Sequence, residues 1–428
     1  MRRRRWIVSF FTLMTIAGAT ARADSPRIAA SAAPPVADLV REAIARSPAL
    51  AALRAQVRAS RELEPAAGAP PDPMLEAMLQ DVGFPRSTVG KEAMSMAGLE
   101  LRQDIRYPGK RGAATDVARA ETAAREADLA AATARVAAEV RSLYADLYVI
   151  DRRGHELHAA QELVEMLAAT AAGRYAAGEA EQEAVLKAQL EVSRLGNELD
   201  DLTAERAAKM AELGRWLDWP AGATLGEVAA LPPVALDAGA VARAADAAPE
   251  VLAGEAQVGV AQRRVHQAEL DLRPDLTAAA GVGLRGALDP VVTLRLGVEL
   301  PVWRRRKQEP MLRAAKESLG AAEHELADRR AMARAESTRL LATWSAADRQ
   351  VTRLREAVVP QSSAALDAAR VSYLSGRGDF LTVVDDFNRW LEARVELARR
   401  EADRYIAWAG IERLVAPGLP ENRQGAQP

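Results

Sequence analysis

Hydrophobic and polar positions along this chain follow two different periods, and the order in which the periods alternate occurs twice. From Val36, the apolar positions Ala43, Ile44, Ala51, Leu53 and Val57 recur at mixed spacings of three and four. That predicts a helical segment with Asp38 as its N-cap, ending before Pro65. The period then becomes two. In Leu99 to Arg106, leucine and isoleucine take one face while Glu100, Arg102, Asp104 and Arg106 take the other. Thr293 to Leu300 repeats the pattern, with Leu294, Leu296, Val298 and Leu300 opposite Thr293, Arg295 and Glu299. Strict alternation predicts strands with one apolar and one wet face. Upstream partners stand at Met74 to Asp81 and Leu276 to Leu284, across loops at Gly83 to Gly90 and Arg285 to Pro290. Two β-hairpins, at 74–106 and 276–302, are therefore expected.

After each hairpin the helical period returns. Val117, Ala120, Leu129, Val136, Val140, Leu143, Leu147 and Ile150 predict a long helix over Ala113 to Tyr175, with Gly154 and Gly173 as candidate kinks. A return helix is expected over Ala180 to Leu217, and the second half repeats the pair at Gln308 to Tyr373 and Phe380 to Leu414. Alanine dominates both, and small side chains let neighbouring helices approach closely as in coiled coils. Val241 to Leu272 matches the opening segment, and Pro48 and Pro249 mark breaks between short helical pieces. Arg174-Tyr175-Ala176-Ala177-Gly178 returns half a chain later as Ser372-Tyr373-Leu374-Ser375-Gly376. A duplication follows, with repeats at 24–222 and 223–417, helical hairpins at 111–217 and 307–414, and a structureless tail at 418–428.

Four strands cannot close a barrel. In hydrocarbon an open sheet would leave edge amides and carbonyls unpaired at several kcal/mol apiece, so a membrane sheet here has to be pooled among several chains. A small soluble sheet packed on a helix is the other possibility. Two compositional features bear on the choice. Met1 to Ala23 has a four-arginine start, an apolar run from Trp6 to Ala17 and Ala21-Arg22-Ala23 before Asp24, the layout of a cleaved secretory signal. Beyond it no apolar run is long enough for a membrane helix, so entry into a membrane has to be made by strands. At the strand-to-helix junctions, Arg106-Tyr107-Pro108-Gly109-Lys110-Arg111 and Pro301-Val302-Trp303-Arg304-Arg305-Arg306-Lys307 combine aromatics and cations. Such a mixture suits a membrane interface, and equally a turn before a solvated helix.

Charge and chemistry exclude more than they suggest. Acids and bases interleave to a net charge of −2, which gives no field for nucleic acid. The chain has no cysteine, hence no disulfide framework and no thioether lipid anchor. His155 and His158 stand three apart without a carboxylate motif, and His266 and His324 are isolated. Gly281-Val282-Gly283 lacks a dinucleotide loop's spacing. Met74 and Met78 share the expected polar face of a strand, and Met94 and Met96 stand close by, a set able to offer transient contact to a soft metal or simply to fill gaps. No cofactor and no enzyme activity are expected, and no phosphate-binding loop would supply energy.

The order of parts, together with Tyr373-Leu374-Ser375-Gly376-Arg377-Gly378-Asp379-Phe380-Leu381-Thr382-Val383-Val384-Asp385, resembles the TolC-like outer-membrane efflux factors over about Val36 to Pro417. The resemblance implies a mainly helical chain that adds four strands to a twelve-stranded barrel shared by a homotrimer. It also implies a long periplasmic extension, a periplasmic adaptor and an inner-membrane RND-type pump as partners, and contact with outer-membrane lipid. Pro71-Asp72-Pro73-Met74, Glu92-Ala93-Met94-Ser95-Met96 and Tyr107-Pro108-Gly109-Lys110-Arg111 are most similar to the branch serving heavy-metal efflux. Mapped through Gly376, Asp385 and Arg377 fall on positions of the family's periplasmic gate, while the other acidic positions fall on Thr382 and Ala184. Neighbouring Asp379, Asp386, Glu179, Glu181 and Glu183 are candidates to substitute, although an acidic helix start also satisfies the helix dipole alone. Gly178, Gly376, Tyr175 and Tyr373 mark the tips where an adaptor is expected to dock. A periplasmic adaptor or coiled-coil scaffold shares the export signal and the helical hairpins, but would carry one hairpin in a β-rich domain.

Overall fold

The computed structural model describes residues 33–89, 91–178, 181–236, 239, 241 and 245–415. The expected signal at 1–23, the tail at 418–428 and Glu179 lie outside the described residues. Helices α1 (Val36–Arg46) and α2 (Pro48–Ala67) lead into strands β1 (Met74–Gln80) and β2 (Met96–Ile105), then α3 (Lys110–Ala176) and α4 (Gln182–Leu217). The order recurs as α5 (Pro249–Leu270), β3 (Asp275–Arg285), β4 (Leu288–Glu299), α6 (Gln308–Arg353), α7 (Val359–Leu374) and α8 (Phe380–Leu414).

Pro48 and Pro249 each open a helix, where the missing N–H costs nothing and the fixed φ is already helical. Other expectations need correction. Asp38 is not the N-cap of α1; Pro35 holds that place, and the Asp38 carboxylate pairs with Arg41 within the first turn. Nor does α2 stop before Pro65, because a proline in the last turn removes a single intrahelical bond while Arg111 anchors the helix end through the Gly68 carbonyl at 2.7 Å. α3 runs as one helical element through Gly154 and Gly173. Its counterpart is divided instead, by a π-helical turn at Leu354–Val358. Pro360, the second residue of α7, has no N–H for the Glu356 carbonyl, so the ladder widens locally.

The strands form one antiparallel sheet in the order β1-β2-β3-β4. Hairpin pairing joins Met78 to Gly98 and Ala280 to Leu294, and the central pairing of Leu101 with Ala280 binds the two repeats into one sheet. β4 starts earlier than the alternation predicted, at Leu288, and Pro290 lies beside the register shift near Gly283 and Arg285 on an edge strand, where a missing donor is tolerated. All four helix connections leave the same end of the sheet, and both hairpin turns lie at the other.

Beyond the helix end of the sheet the helices pack side by side as a wall. α3 is flanked by α2 and α5 near the sheet and by α4 and α8 further away, and α6 packs on α5 and α8. The core is therefore strung along the wall. One cluster joins α1, α3, α4 and α8 through Leu39, Val140, Leu147, Leu213 and Tyr405. A second joins α3, α4, α7 and α8 through Leu157, Leu195, Leu366 and Phe387. A third seats α6 against Val251 and Ile411.

Candidate functional site

The register of the sheet sorts its side chains onto two chemically different faces. Leu75, Leu79, Leu99, Leu101, Ile105, Leu276, Val282, Leu284, Val292, Leu294, Leu296 and Val298 share one face, and all are exposed. Leu294 and Leu296 are 77% and 90% accessible. Water would penalise such a surface at about 25 cal/mol per Å², and a continuous patch of this kind marks an interaction surface. The opposite face carries Glu76, Gln80, Glu100, Arg102, Asp104, Thr277, Thr293, Arg295 and Glu299, with Glu100 and Arg295 paired at 2.7 Å. Met74 and Met78 lie on this polar face, as expected, and Met96 joins them. A Cβ at Gly98 would stand 2.4 Å from the Val282 carbonyl oxygen, so only glycine fits there. Among the described residues no strand pairs with the outer edges of β1 and β4.

At the helix end of the sheet, the first junction is tied down. The Lys110 ammonium is buried and meets Asp275 at 2.9 Å and the Arg273 carbonyl at 2.8 Å, while Asp275 also accepts the Tyr107 N–H at 2.7 Å. These bonds fasten the start of α3 to the start of β3. The second junction has no such fastening, and Arg305, Arg306 and Lys307 are fully on the surface.

The far ends of the helical hairpins meet in a second feature. Gly178 and Gly376 adopt φ of 73° and 77°, left-handed values that glycine reaches without a Cβ clash. In the second tip the Ser372 carbonyl accepts both the Arg377 and Gly378 N–H groups at 3.0 Å. The Tyr373 ring is 3% exposed, sits edge-on to Phe380 at 5.7 Å and lies under the Arg174 guanidinium at 5.2 Å. Arg174 also donates to the Tyr373 carbonyl at 3.2 Å, so the first hairpin grips the second. Between the tips a cavity of about 180 Å³ is bordered by Glu181, Ala184, Lys187 and Asp379. Lys187, hydrogen-bonded to Glu183, holds that carboxyl below the usual carboxylate range. Of the expected docking residues, Tyr175, Gly178 and Gly376 are exposed, whereas Tyr373 is an interior strut.

The sequence profile of the outer membrane efflux proteins matches residues 39–217 and 240–416. The chain belongs to the outer membrane efflux protein family. Solved channels share its fold. VceC of Vibrio cholerae superposes with a TM-score of 0.76 at 19% identity, covering 89% of this chain and 95% of that one. CusC gives 0.73 at 15% identity with 88% and 90% covered, and the open state of Neisseria gonorrhoeae MtrE gives 0.66 at 16% with 90% and 89%. No curated protein matches the chain in sequence. The expected TolC-like architecture, mainly helical with four strands, is the observed one.

In this outer membrane efflux protein the expected gate residues are arranged differently from a direct Asp385 to Arg377 contact. Arg377 donates to the Ser375 hydroxyl at 3.3 Å and pairs with no carboxylate among the described residues. Asp385 pairs instead with Arg389 at 2.9 Å, and Asp386 reaches the same guanidinium at 3.6 Å. Arg389 was absent from the sequence-predicted set, although its spacing of four from Asp385 on one helix face is enough to find it. Asp379 holds the N-cap position of α8 without a side-chain capping bond, and Thr382 is exposed beside it. His158 donates to the Gly154 carbonyl at 2.7 Å, and among the described residues no cluster of His, Asp or Glu is placed to hold a metal ion. No described helix is long and apolar enough to cross a membrane.

Proposed function

We propose that three copies of this chain close into one twelve-stranded barrel in the outer membrane, continuous with a helical tunnel across the periplasm. The assembly conducts substrate passively from an inner-membrane RND-type pump and a periplasmic adaptor to the exterior. One observation carries the reading: an apolar, exposed sheet face with two unpaired edges, hung from helices at one end only. Lipid accounts for the face, and the β1 edge of one copy meeting the β4 edge of the next accounts for both edges in a closed ring. Residues 1–23 serve as the export signal, and the repeats at 24–222 and 223–417 each supply one β-hairpin and one helical hairpin.

Asp385, Asp386, Asp379 and Arg377 form the periplasmic constriction, with Arg389 as local counter-charge, and a ring of such acids attracts cations. The adaptor docks at the tips around Gly178 and Gly376. The exported substrates are heavy-metal cations, a reading supported by the motifs around Met74, Met94 and Tyr107 and by the methionines on the polar sheet face.

The decisive experiment is extraction of the full-length protein from outer membranes followed by mass measurement and planar-bilayer recording. A detergent-dependent species of three chains with ohmic conductance is expected, and a water-soluble monomer would overturn the channel. Asp385→Ala should raise conductance and relieve block by divalent cations; an unchanged trace removes the residue from the gate. Cysteines introduced at Ala177 and Ser375 should cross-link to the adaptor. Loss of the gene should sensitise cells to cobalt, zinc, cadmium, copper or silver, and unchanged tolerance to all five refutes the substrate class.

A further inference from the structure

We propose that the junction between β4 and α6 binds anionic phospholipid headgroups in the leaflet facing the helices, an inference that rests on the membrane reading above. The apolar row of β4 does not end with the strand. Leu300 and Val302 continue the alternation of Val292, Leu294, Leu296 and Val298, and are 65% and 73% exposed. Trp303 follows at 67% exposure. The chain then folds tightly on itself, with the Arg306 and Lys307 N–H groups both bonding the Trp303 carbonyl, at 2.8 and 2.9 Å. Four cations are thereby gathered beside an indole at the lower border of the apolar face.

Among the described residues only one of the four is neutralised. Arg304 pairs with Glu309 at 3.2 Å, whereas Arg305, Arg306 and Lys307 are exposed and their side chains have no hydrogen bond or ion pair among the described residues. The first repeat shows that this is no general property of the strand-to-helix junction. There Lys110 is buried on Asp275 and Arg111 bonds the Gly68 carbonyl, which leaves Arg106 as a single exposed cation without a partner among the described residues, against three at the second junction. A ligand that complements the second junction needs an anionic head for the cations and an apolar tail for Leu300 and Val302. Anionic phospholipid has both, and tryptophan favours the boundary between them.

The test uses purified full-length protein in mixed micelles of equal phosphatidylglycerol and phosphatidylcholine, with retained lipid counted by class after gel filtration. Enrichment of phosphatidylglycerol is expected, falling roughly fivefold for each cation removed at low salt in the series R305Q, R306Q and K307Q. W303A should lower retention of both classes. The triple variant should keep its oligomeric mass and conductance. Equal retention of the two lipids, or enrichment untouched by the triple variant, overturns the proposal. So does displacement by inorganic phosphate at the concentration of the lipid itself, which would make this a bare anion site, and so does loss of oligomeric mass, which would make it a contact between copies. A chain that enters no vesicle and needs no detergent fails at the earlier step, removing the channel and this surface together.

Discussion

The two repeats share a plan and differ in what each fastens. The first starts its long helix on a buried ion pair to the second repeat and runs it to the tip as one element. The second leaves its junction cations on the surface and interrupts the equivalent helix with a π-turn. Their outer ends differ as well. The first hairpin carries the long connection between Gln80 and Met96, held by Ser95 on the Asp81 carbonyl at 2.6 Å, whereas the second turns at Gly286 and Ala287. One repeat is thus tied across the molecule and continuous along its long helix, while the other carries the exposed junction cations and the π-turn.

The largest expected effect tests the fastened junction. Lys110→Met leaves the half-buried Asp275 with a single N–H partner and should cost about 2.5 kcal/mol in chemical unfolding, the lysine being buried and the carboxylate partly solvated. Lys307→Met, at the open junction, should change stability by less than about 0.5 kcal/mol. Equal costs would erase the distinction.

A second tie between repeats lies in the wall, where the buried Glu156 of α3 meets Arg394 of α8 at 2.7 Å. Arg394→Met leaves Glu156 only the longer pairing with Arg152 at 4.0 Å and should cost about 2 kcal/mol, and adding Glu156→Gln should restore at least half of it, because the under-paired buried charge is gone. Without that recovery in a double-mutant cycle, Arg394 acts through its stacking on Trp390 instead.

Alkaline unfolding sharpens the comparison at two of the buried tyrosines, Tyr148 and Tyr405. Burial pushes the Tyr405 hydroxyl up to about 12, and burial together with the hydrogen bond to Glu401 raises Tyr148 further. In the unfolded chain both ionise near pH 10, so folding is fully supported below that and weakens as pH rises toward 12, by about 1.4 kcal/mol per unit and group. Tyr405→Phe should flatten the decline and change little at neutral pH. Tyr148→Phe should also cost about 1 kcal/mol at neutral pH through the lost bond. Parallel pH profiles for wild type and Tyr405→Phe would contradict the assignment.

The smallest effect is one in which the repeats should agree. Gly178→Ala and Gly376→Ala both meet left-handed backbone with open space around the new methyl, the nearest atom at Gly376 being 4.0 Å away. Each should cost about 1 kcal/mol of local strain and speed tryptic cleavage at Arg174 or Arg377 several-fold. Global stability should fall by no more than that amount.

The sequence made the sheet legible because alternation is a local signal. Leu294, Leu296 and Val298 declare their face without reference to any partner. It understated β2, whose first residues Met96, Ala97 and Gly98 do not alternate; Gly98 is set by how closely Val282 approaches from the other repeat. The break before Pro360 was readable from proline chemistry, and Arg389 from helical spacing. What no local pattern carries is the set of ties across the duplication. Lys110 finds Asp275, Arg174 finds Tyr373 and Arg394 finds Glu156 only once the chain has folded, and these pairs decide which glycines, cations and aromatics are surface and which are frame.

The unbroken α3 has a mechanical meaning. It begins at the foot of the sheet and ends at the hairpin tip, a single helix about 100 Å long. A tilt of one degree about its midpoint would move either end by roughly an ångström, and at the sheet end that motion would reach Lys110, which is bonded to the start of β3.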